Sequence, residues 1–340
     1  KNKMSFLEIN NLDIQYKTRK ETINASIDVT FNLERGEILG IVGESGSGKS
    51  TVANAIINLI DQPGKITNGS IKLDNIECCN NEKIIQTIRG KKIGFVFQDP
   101  QTSLNPLFKI KDQLIETIQT HLKLNYYDAK KRSIELLQEV GIENPEKRIN
   151  EYPHQFSGGM KQRVAIAMAI ALDPKIIIAD EPVTALDVIV QRQILDLFDK
   201  LKKSLNLSII LVTHDISVIA YSCQKVAVMY AGEIIEMGSV KSVLEKPLHP
   251  YTMGLNNAFP DLLSKKSDYL VPIEGSPPNL LNPPIGCRFK MRCPFSQDQC
   301  NNKPEKINNS DRHVASCWRE SESDQLRIRA NEPSTWINNG

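Results

Sequence analysis

Apolar residues along the chain fall into short unbroken runs in some places and into three-and-four spacing in others, and that alternation predicts the elements. Phe6–Asn10 and Ala25–Leu33 read as antiparallel strands joined by a polar loop, and Ser70–Leu73 and Lys92–Phe97 continue the strand pattern. Ile38–Val42 is an uninterrupted apolar run followed by a helix candidate at Thr51–Ile60. Residues 109–141 switch to helical spacing: Ile110, Leu114, Ile118 and His121-Leu122 share one face, Ile134, Leu137 and Val140 another, and Gly141 ends the second helix. A further helix begins at Ser157, runs through Leu172 and stops at Asp173-Pro174. From Lys175 to about Leu244 strand and helix alternate, the pattern of a parallel sheet. Ile176–Glu181 and Ser208–Thr213 are apolar throughout most of their length, as buried parallel strands are.

Beyond Glu245 the pattern dissolves. Residues 246–300 carry many prolines, among them Pro277, Pro278, Pro283 and Pro284, and little periodicity. A boundary near 245 therefore divides an α/β body at 1–245, with a helical insert at about 99–172, from a small irregular extension at 246–340. At 340 residues the chain is long enough for one large domain and an appendage. A net charge of +2 with 24% charged residues and no long single-sign block leaves no footprint for nucleic acid or an anionic membrane. The longest apolar stretch, Val164–Leu172, is too short to span a bilayer, and the start of the chain lacks the apolar core of a signal peptide. If this chain drives transport, other polypeptides are expected to form the pore.

The chemistry is concentrated at a few points. Residues 43–50, Gly-Glu-Ser-Gly-Ser-Gly-Lys-Ser, fit the G-x-x-x-x-G-K-[ST] phosphate loop and lie between a strand and a helix candidate, as that loop requires. Gly43, Gly46 and Gly48 let backbone N–H groups converge on phosphate oxygens, with Glu44, Ser45, Ser47 and Thr51 completing the loop and the helix start. Lys49 supplies a cation for the β- and γ-phosphates, and the Ser50 hydroxyl can ligate Mg²⁺. Asp180 and Glu181 end an apolar strand, where open α/β sheets place ligands. Asp180 is the candidate Mg²⁺ partner and Glu181 the group that polarises an attacking water. Ser208–Thr213 delivers His214-Asp215 to the same kind of edge, and Gln98 ends the strand Ile93–Phe97.

Taken with Phe156-Ser157-Gly158-Gly159-Met160-Lys161-Gln162, this order of motifs resembles the ATP-binding subunit of an ABC transporter. The resemblance implies a cassette fold: a P-loop parallel-sheet core, an antiparallel β subdomain and a helical insert. It also implies roles. Gln98 opens the Gln loop and joins Ser50 and Asp180 around Mg²⁺; 157–162 is the signature; Ala185-Leu186-Asp187 is the D-loop; His214 is the switch histidine. Tyr16 sits where such proteins stack an aromatic on adenine. The signature has Phe156 for the usual Leu and Met160 for the usual Gln, but Ser157, Gly158 and Gly159, which would contact the γ-phosphate, are intact.

His249-Pro250-Tyr251, Gly275-Ser276-Pro277-Pro278-Asn279-Leu280 and Gly286-Cys287-Arg288-Phe289 narrow the resemblance to the "D" subunits of bacterial oligopeptide and dipeptide importers. The implied partners are a related "F" subunit or a second copy, two membrane permease subunits and an extracytoplasmic substrate-binding protein, with the ATPase peripheral at the cytoplasmic face of the membrane. The implied docking surface is Asp99–Leu107. Nickel and glutathione importers share the same extension. A DNA-repair cassette ATPase would need a long coiled coil between Gln98 and Ser157, and a translation factor a second phosphate loop; neither is present.

Of seven cysteines, Cys287, Cys293, Cys300 and Cys317 cluster in the extension with spacing C-x5-C-x6-C-x16-C, unlike the paired C-x2-C of a zinc ribbon. Spacing leaves a 4Fe–4S cluster, zinc and no metal open. The resemblance favours the 4Fe–4S cluster, acting as a staple for a segment expected to bury little core. His313 could replace a thiolate, but a surface polar role is the expectation for it.

Overall fold

The computed structural model describes residues 5–258, 272–305 and 312–336. Its strands are, in chain order, β1 (Leu7–Lys17), β2 (Thr22–Leu33), β3 (Ile38–Val42), β4 (Gly64–Leu73), β5 (Ile76–Glu77), β6 (Ile93–Val96), β7 (Ile176–Asp180), β8 (Ser208–Thr213), β9 (Lys225–Tyr230), β10 (Glu233–Ser239) and β11 (Val314–Ala315). The described residues form two compact units. One draws on Lys1–Glu34, Ile38–Asn81 and Thr213–Gly340, the other on Arg35–Glu37 and Glu82–Val212.

In the first unit an antiparallel sheet runs β2-β1-β4-β5, with Leu7 opposite both Leu33 and Leu73. Leu7, Ile9, Leu12 and Ile14 of β1 are buried, and an irregularity between Ile9 and Leu12 keeps the apolar side inward where strict alternation would fail. β3 is parallel to β9, β9 is antiparallel to β10, and the two-residue β11 adds to β10 through Glu236↔Ala315 and Met237↔Val314. All five β3 residues are buried. Ala231 and Gly232 both have positive φ (47° and 86°), which joins β9 to β10 through a tight turn whose twist matches its strands. The expected helix at Thr51–Ile60 is found at Lys49–Ile56, and Asn58, with φ 51°, turns the chain out of it.

The described residues after Glu245 share their core with β9 and β10. Phe289, Phe295, Leu326 and Trp336 are buried in one cluster with Val226 and Val228 of β9 and Ile235 of β10. Tyr230, Tyr251 and Phe289 form a triangle with ring centroids 4.7, 5.2 and 5.4 Å apart, in the tilted and edge-on arrangements that aromatic quadrupoles favour. The fully buried Glu236 of β10 ties the chain down by accepting from Leu248 N and His249 N, each at 2.8 Å, while His313 Nε2 lies 2.8 Å from its Oε1.

The second unit has β6, β7 and β8 in parallel register. The helical insert is as the spacing implies: Ile110–His121 and Tyr126–Glu139 pack on one another, and Asn125 caps the second by accepting from Asp128 N at 2.9 Å. The helix Gly158–Ile170 buries Val164, Ala165, Ile166, Ala167, Ala169 and Ile170, which accounts for the apolar stretch. Among the described residues no helix is long and apolar enough to cross a membrane.

One buried group makes stability depend on pH. His249 caps the helix Pro250–Asn257, its Nδ1 accepting from Tyr251 N at 3.0 Å, and burial pulls its pKa from 6.5 down to about 3. The unfolded chain binds that proton near pH 6.5 and the folded chain only near pH 3, so stability is complete above 6.5 and declines as pH falls toward 3. His249→Asn, which keeps a capping acceptor, should flatten that decline. Urea midpoints measured between about pH 7 and about pH 4 should fall less than the parent's; parallel pH slopes would contradict the assignment.

Candidate active site

In the first unit β3 feeds the loop 43–48 directly into the helix Lys49–Ile56. At two positions the loop lies so close to its surroundings that a side chain is excluded. A Cβ on Gly43 would sit 2.1 Å from Met229 O, and one on Gly48, at φ 96°, 2.5 Å from Ala25 O. Gly46 is also left-handed, at φ 77°. Gly232 N donates to Ser47 O at 2.9 Å, and Ser47 N to Glu44 O at 3.2 Å, which fixes the curl of the loop. Lys49, only 4% exposed, donates its Nζ to Gly43 O (2.8 Å) and Glu44 O (2.9 Å), so the ammonium is held inside the loop's concave side. The Ser47 hydroxyl is buried without a hydrogen-bond partner among the described residues. A bare backbone, an enclosed cation and an orphaned buried hydroxyl together fit a polyphosphate.

Ser50 and Thr51 follow in the helix's first turn, and Ser45 is exposed. Tyr16 is half-buried on β1, opposite Ile23 and Gly64; its ring covers Gly64, where a Cβ would come within 2.7 Å of Cε1. His214 is exposed just past β8, and Asp215 caps the following turn by accepting from Ser217 N at 2.8 Å.

In the second unit the carboxylate pair ends β7. Asp180 is buried at 6% exposure. Glu181 has left its strand: φ is 45°, an unfavourable left-handed backbone for a residue with a side chain, held by Glu181 N donating to Val212 O at 2.8 Å. Two donors meet its Oε2, Gln98 Nε2 at 3.1 Å and Thr184 Oγ1 at 3.0 Å. Gln98 and Glu181, far apart in sequence, are thus brought together, and the Gln98 amide turns its oxygen away from the carboxylate. Thr184 was not singled out by the sequence motifs; a hydroxyl three residues after the carboxylate was the available signal.

Ser157 caps the helix Gly158–Ile170, accepting from Met160 N at 3.3 Å. Ser157 and Gly158 are exposed and Gly159 half-buried, so the helix's positive end faces outward. Gly159 has a packing reason as well, since a Cβ there would lie 2.6 Å from Val190 Cγ1. Asp187 caps the helix Val188–Leu205, accepting from Val190 N at 3.0 Å.

The expected 4Fe–4S cluster on Cys287, Cys293, Cys300 and Cys317 is corrected. Among the described residues no group of three or more His, Cys, Asp or Glu is arranged to hold a metal ion. The four thiols border a space of about 10 Å³ shared with Phe289, Phe295 and Pro250, and Cys287 and Cys293 pack against the aromatic core. Burial pushes the Cys287, Cys293 and Cys317 thiols up. Proline content alone suggests a segment that buries little and needs a staple. Phe289, Phe295 and Trp336 bury enough to hold it as apolar packing, with cysteine as a small hydrophobe. His313 is engaged with Glu236.

The ABC transporter family profile matches residues 27–184, and that of the oligopeptide/dipeptide transporter C-terminal region matches residues 235–300. The oligopeptide transport ATP-binding protein OppD of Bacillus subtilis (strain 168) is 47% identical over 315 residues, 92% of this chain and 88% of that protein. The dipeptide transport ATP-binding protein DppD of the same organism is 44% identical over 92% of this chain and 94% of that protein. Among solved structures, the dimeric post-hydrolysis state of the ATP-binding cassette MJ0796, bound to ADP and Pi, matches with a TM-score of 0.62 at 34% identity. That match covers 69% of this chain and 98% of that one.

Gly43 offers the sharpest test of the loop. Gly43→Ala must displace either Met229 O or the loop, and strain of this kind should weaken nucleotide binding roughly tenfold or more. Titration of the purified variant with a fluorescent ATP analogue reads it out; an unchanged Kd would mean the loop does not need its close approach.

Proposed function

The chain belongs to the ATP-binding subunits of the oligopeptide and dipeptide ABC importers, and from that premise we propose how its residues power uptake. It hydrolyses ATP, working with membrane permease subunits that form the pore and an extracytoplasmic binding protein that delivers the peptide. It acts peripherally, on the cytoplasmic side of the permeases. Two cassettes, this one and a related subunit or second copy, meet with the signature helix of each capping ATP on the other.

ATP lies along the loop Gly43–Thr51, its phosphates met by backbone N–H groups and by Lys49, and its adenine stacks on Tyr16. Lys49 now donates to two loop carbonyls, and on binding it exchanges them for phosphate oxygens. Ser50, Gln98 and Asp180 would hold Mg²⁺, since hydroxyl, amide and carboxylate oxygens are the hard donors that ion takes. When bound, the ion supplies charge neutralisation at the phosphates. Glu181 takes the proton of the attacking water while Gln98 and Thr184 hold its carboxylate in place, and His214 orients the water or senses the γ-phosphate. The N-terminus of the signature helix, Ser157–Gly159, offers oriented N–H groups and a positive dipole end to the γ-phosphate of the partner cassette's ATP.

The observation that carries this reading is Glu181 itself, a carboxylate held by two side-chain donors on a left-handed backbone at the end of a buried strand. Strain of this sort persists where the fold over-determines a functional group. Closing motions pass to the permeases through Asp99–Leu107. The side chains of Gln101 and Thr102 lie outside the described residues, but Leu107 and the adjoining Phe108 are 80% and 53% exposed, as an unoccupied docking patch would be.

Glu181→Gln keeps shape and hydrogen bonding but removes the base, a change that costs about 10²–10⁴ in rate. ATP should still bind and the closed cassette pair should accumulate; near-normal hydrolysis by the assembled variant transporter would sink the assignment. Lys49→Ala should fail earlier, at binding, because a point charge on the β- and γ-phosphates is lost. Equilibrium dialysis with ATP distinguishes the two, and unchanged affinity in the lysine variant would contradict the phosphate-loop role.

A further inference from the structure

Glu44 places a carboxylate on a loop whose ligand is a polyanion. Among like charges at close range that is a penalty, and it is answered from the far end of the chain. Arg292 meets the carboxylate with a two-pronged contact, Nη1 to Oε2 at 2.8 Å and Nη2 to Oε1 at 3.2 Å. The guanidinium is itself built in. Its Nε donates to Glu274 O at 2.9 Å, Nη2 to Ile273 O at 3.2 Å and Nη1 to Tyr230 Oη at 3.3 Å, and its carbon lies 5.8 Å from the Tyr230 ring centroid. The Arg292 side chain is 8% exposed and that of Glu44 26%.

The backbone of Glu44 is engaged from both directions. Its N–H donates to Tyr251 Oη at 3.1 Å, and its carbonyl accepts from Lys49 Nζ at 2.9 Å. One residue of the loop therefore touches the phosphate-binding lysine on one side and two residues of the C-terminal region on the other. Neither Arg292 nor Tyr251 belongs to any cassette motif.

We propose that Arg292 is a positioning residue for nucleotide binding: it neutralises Glu44 within the phosphate loop and thereby makes ATP affinity depend on the C-terminal region. The proposal rests on residues 43–50 being the phosphate site. Without Arg292 the Glu44 carboxylate is left uncompensated in a partly buried position beside the incoming phosphates. With the pair intact the loop presents Lys49 and its N–H groups against no local negative charge. Because the effect is on charge in the binding loop, it appears in the Kd and KM for ATP and leaves kcat little changed.

The test uses the full chain assembled with its membrane subunits, with ATP as the probe and KM and kcat measured separately. Arg292→Gln should raise the KM for ATP roughly tenfold with kcat within about twofold. Adding Glu44→Gln to it removes the uncompensated charge and should bring KM back to within about threefold of the parent, a non-additive rescue. Arg292→Lys keeps the charge without the fork and should fall between. A merely structural role predicts the opposite for the double variant, whose two lesions would add. An Arg292→Gln variant with unchanged KM, or a double variant no tighter than the single, overturns the proposal. If Arg292→Gln does not fold, Arg292→Lys with and without Glu44→Gln carries the same comparison, and a KM unmoved by the second substitution overturns it equally. Lys49→Ala separates the two levels: unchanged ATP affinity there means the phosphate-loop reading has failed, and a loss there with no effect at Arg292 means only this inference has.

Discussion

The close approach of the phosphate loop to the turn between β9 and β10 is the constraint on which the first unit depends. Gly43 stands where a single extra carbon would meet Met229 O at 2.1 Å, and Gly232 would meet Ala25 O at 2.8 Å. Ile27 N donates to Gly232 O at 2.8 Å and Gly232 N to Ser47 O, so one turn holds both the antiparallel sheet and the loop. Backbone can bind phosphate only where its N–H groups are bare and pre-oriented, and orientation here comes from contact with a neighbouring backbone rather than from the loop alone. Glycine at these positions serves the packing as much as the ligand.

That turn also begins the path by which the C-terminal region is attached. Tyr230, the last residue of β9, packs on Tyr251 and Phe289, and from this triangle Arg292 and Tyr251 reach Glu44. Arg288 donates to Ala231 O within the same turn. A segment rich in proline has few backbone donors and cannot build a sheet of its own. It is held instead by large aromatic side chains inserted into a core that the cassette supplies, and by Glu236, a buried carboxylate satisfied by two backbone N–H groups and a histidine. Cys287 and Cys293 pack against this cluster as small hydrophobes.

In the second unit the candidate site residues sit at element ends, for a general reason. Strand and helix interiors spend their backbone groups on one another, and only their termini leave N–H groups and side chains free to face a ligand. Ser157, Asp187 and Glu181 each mark such a terminus, two as caps and one as a departure from the strand. Exposure of Ser157 and Gly158 suits a surface whose partner is another cassette.

The order of motifs was legible in the amino-acid sequence because phosphate loops, strand-end carboxylates and signature helices are local: each depends on a few adjacent residues and the period of their neighbours. The loop between β3 and its helix at 43–48, the end of β7 at Asp180, the helix start after Ser157 and the paired helices Ile110–His121 and Tyr126–Glu139 were readable as elements on that ground. So were the family and its activity, since nearly the whole chain carries the resemblance. What spacing could not decide was anything set by contacts between distant segments. The meeting of Gln98 and Thr184 on Glu181 needed β6 beside β7, and the meeting of Arg292 and Tyr251 on Glu44 needed the C-terminal region folded onto β9. The same limit explains the error over Cys287, Cys293, Cys300 and Cys317. Four cysteines in a segment of low periodicity look like ligands, because a core shared with another part of the chain, here through Phe289, Phe295 and Trp336 with Cys287 and Cys293 packed against it, leaves no periodic trace in the segment that shares it.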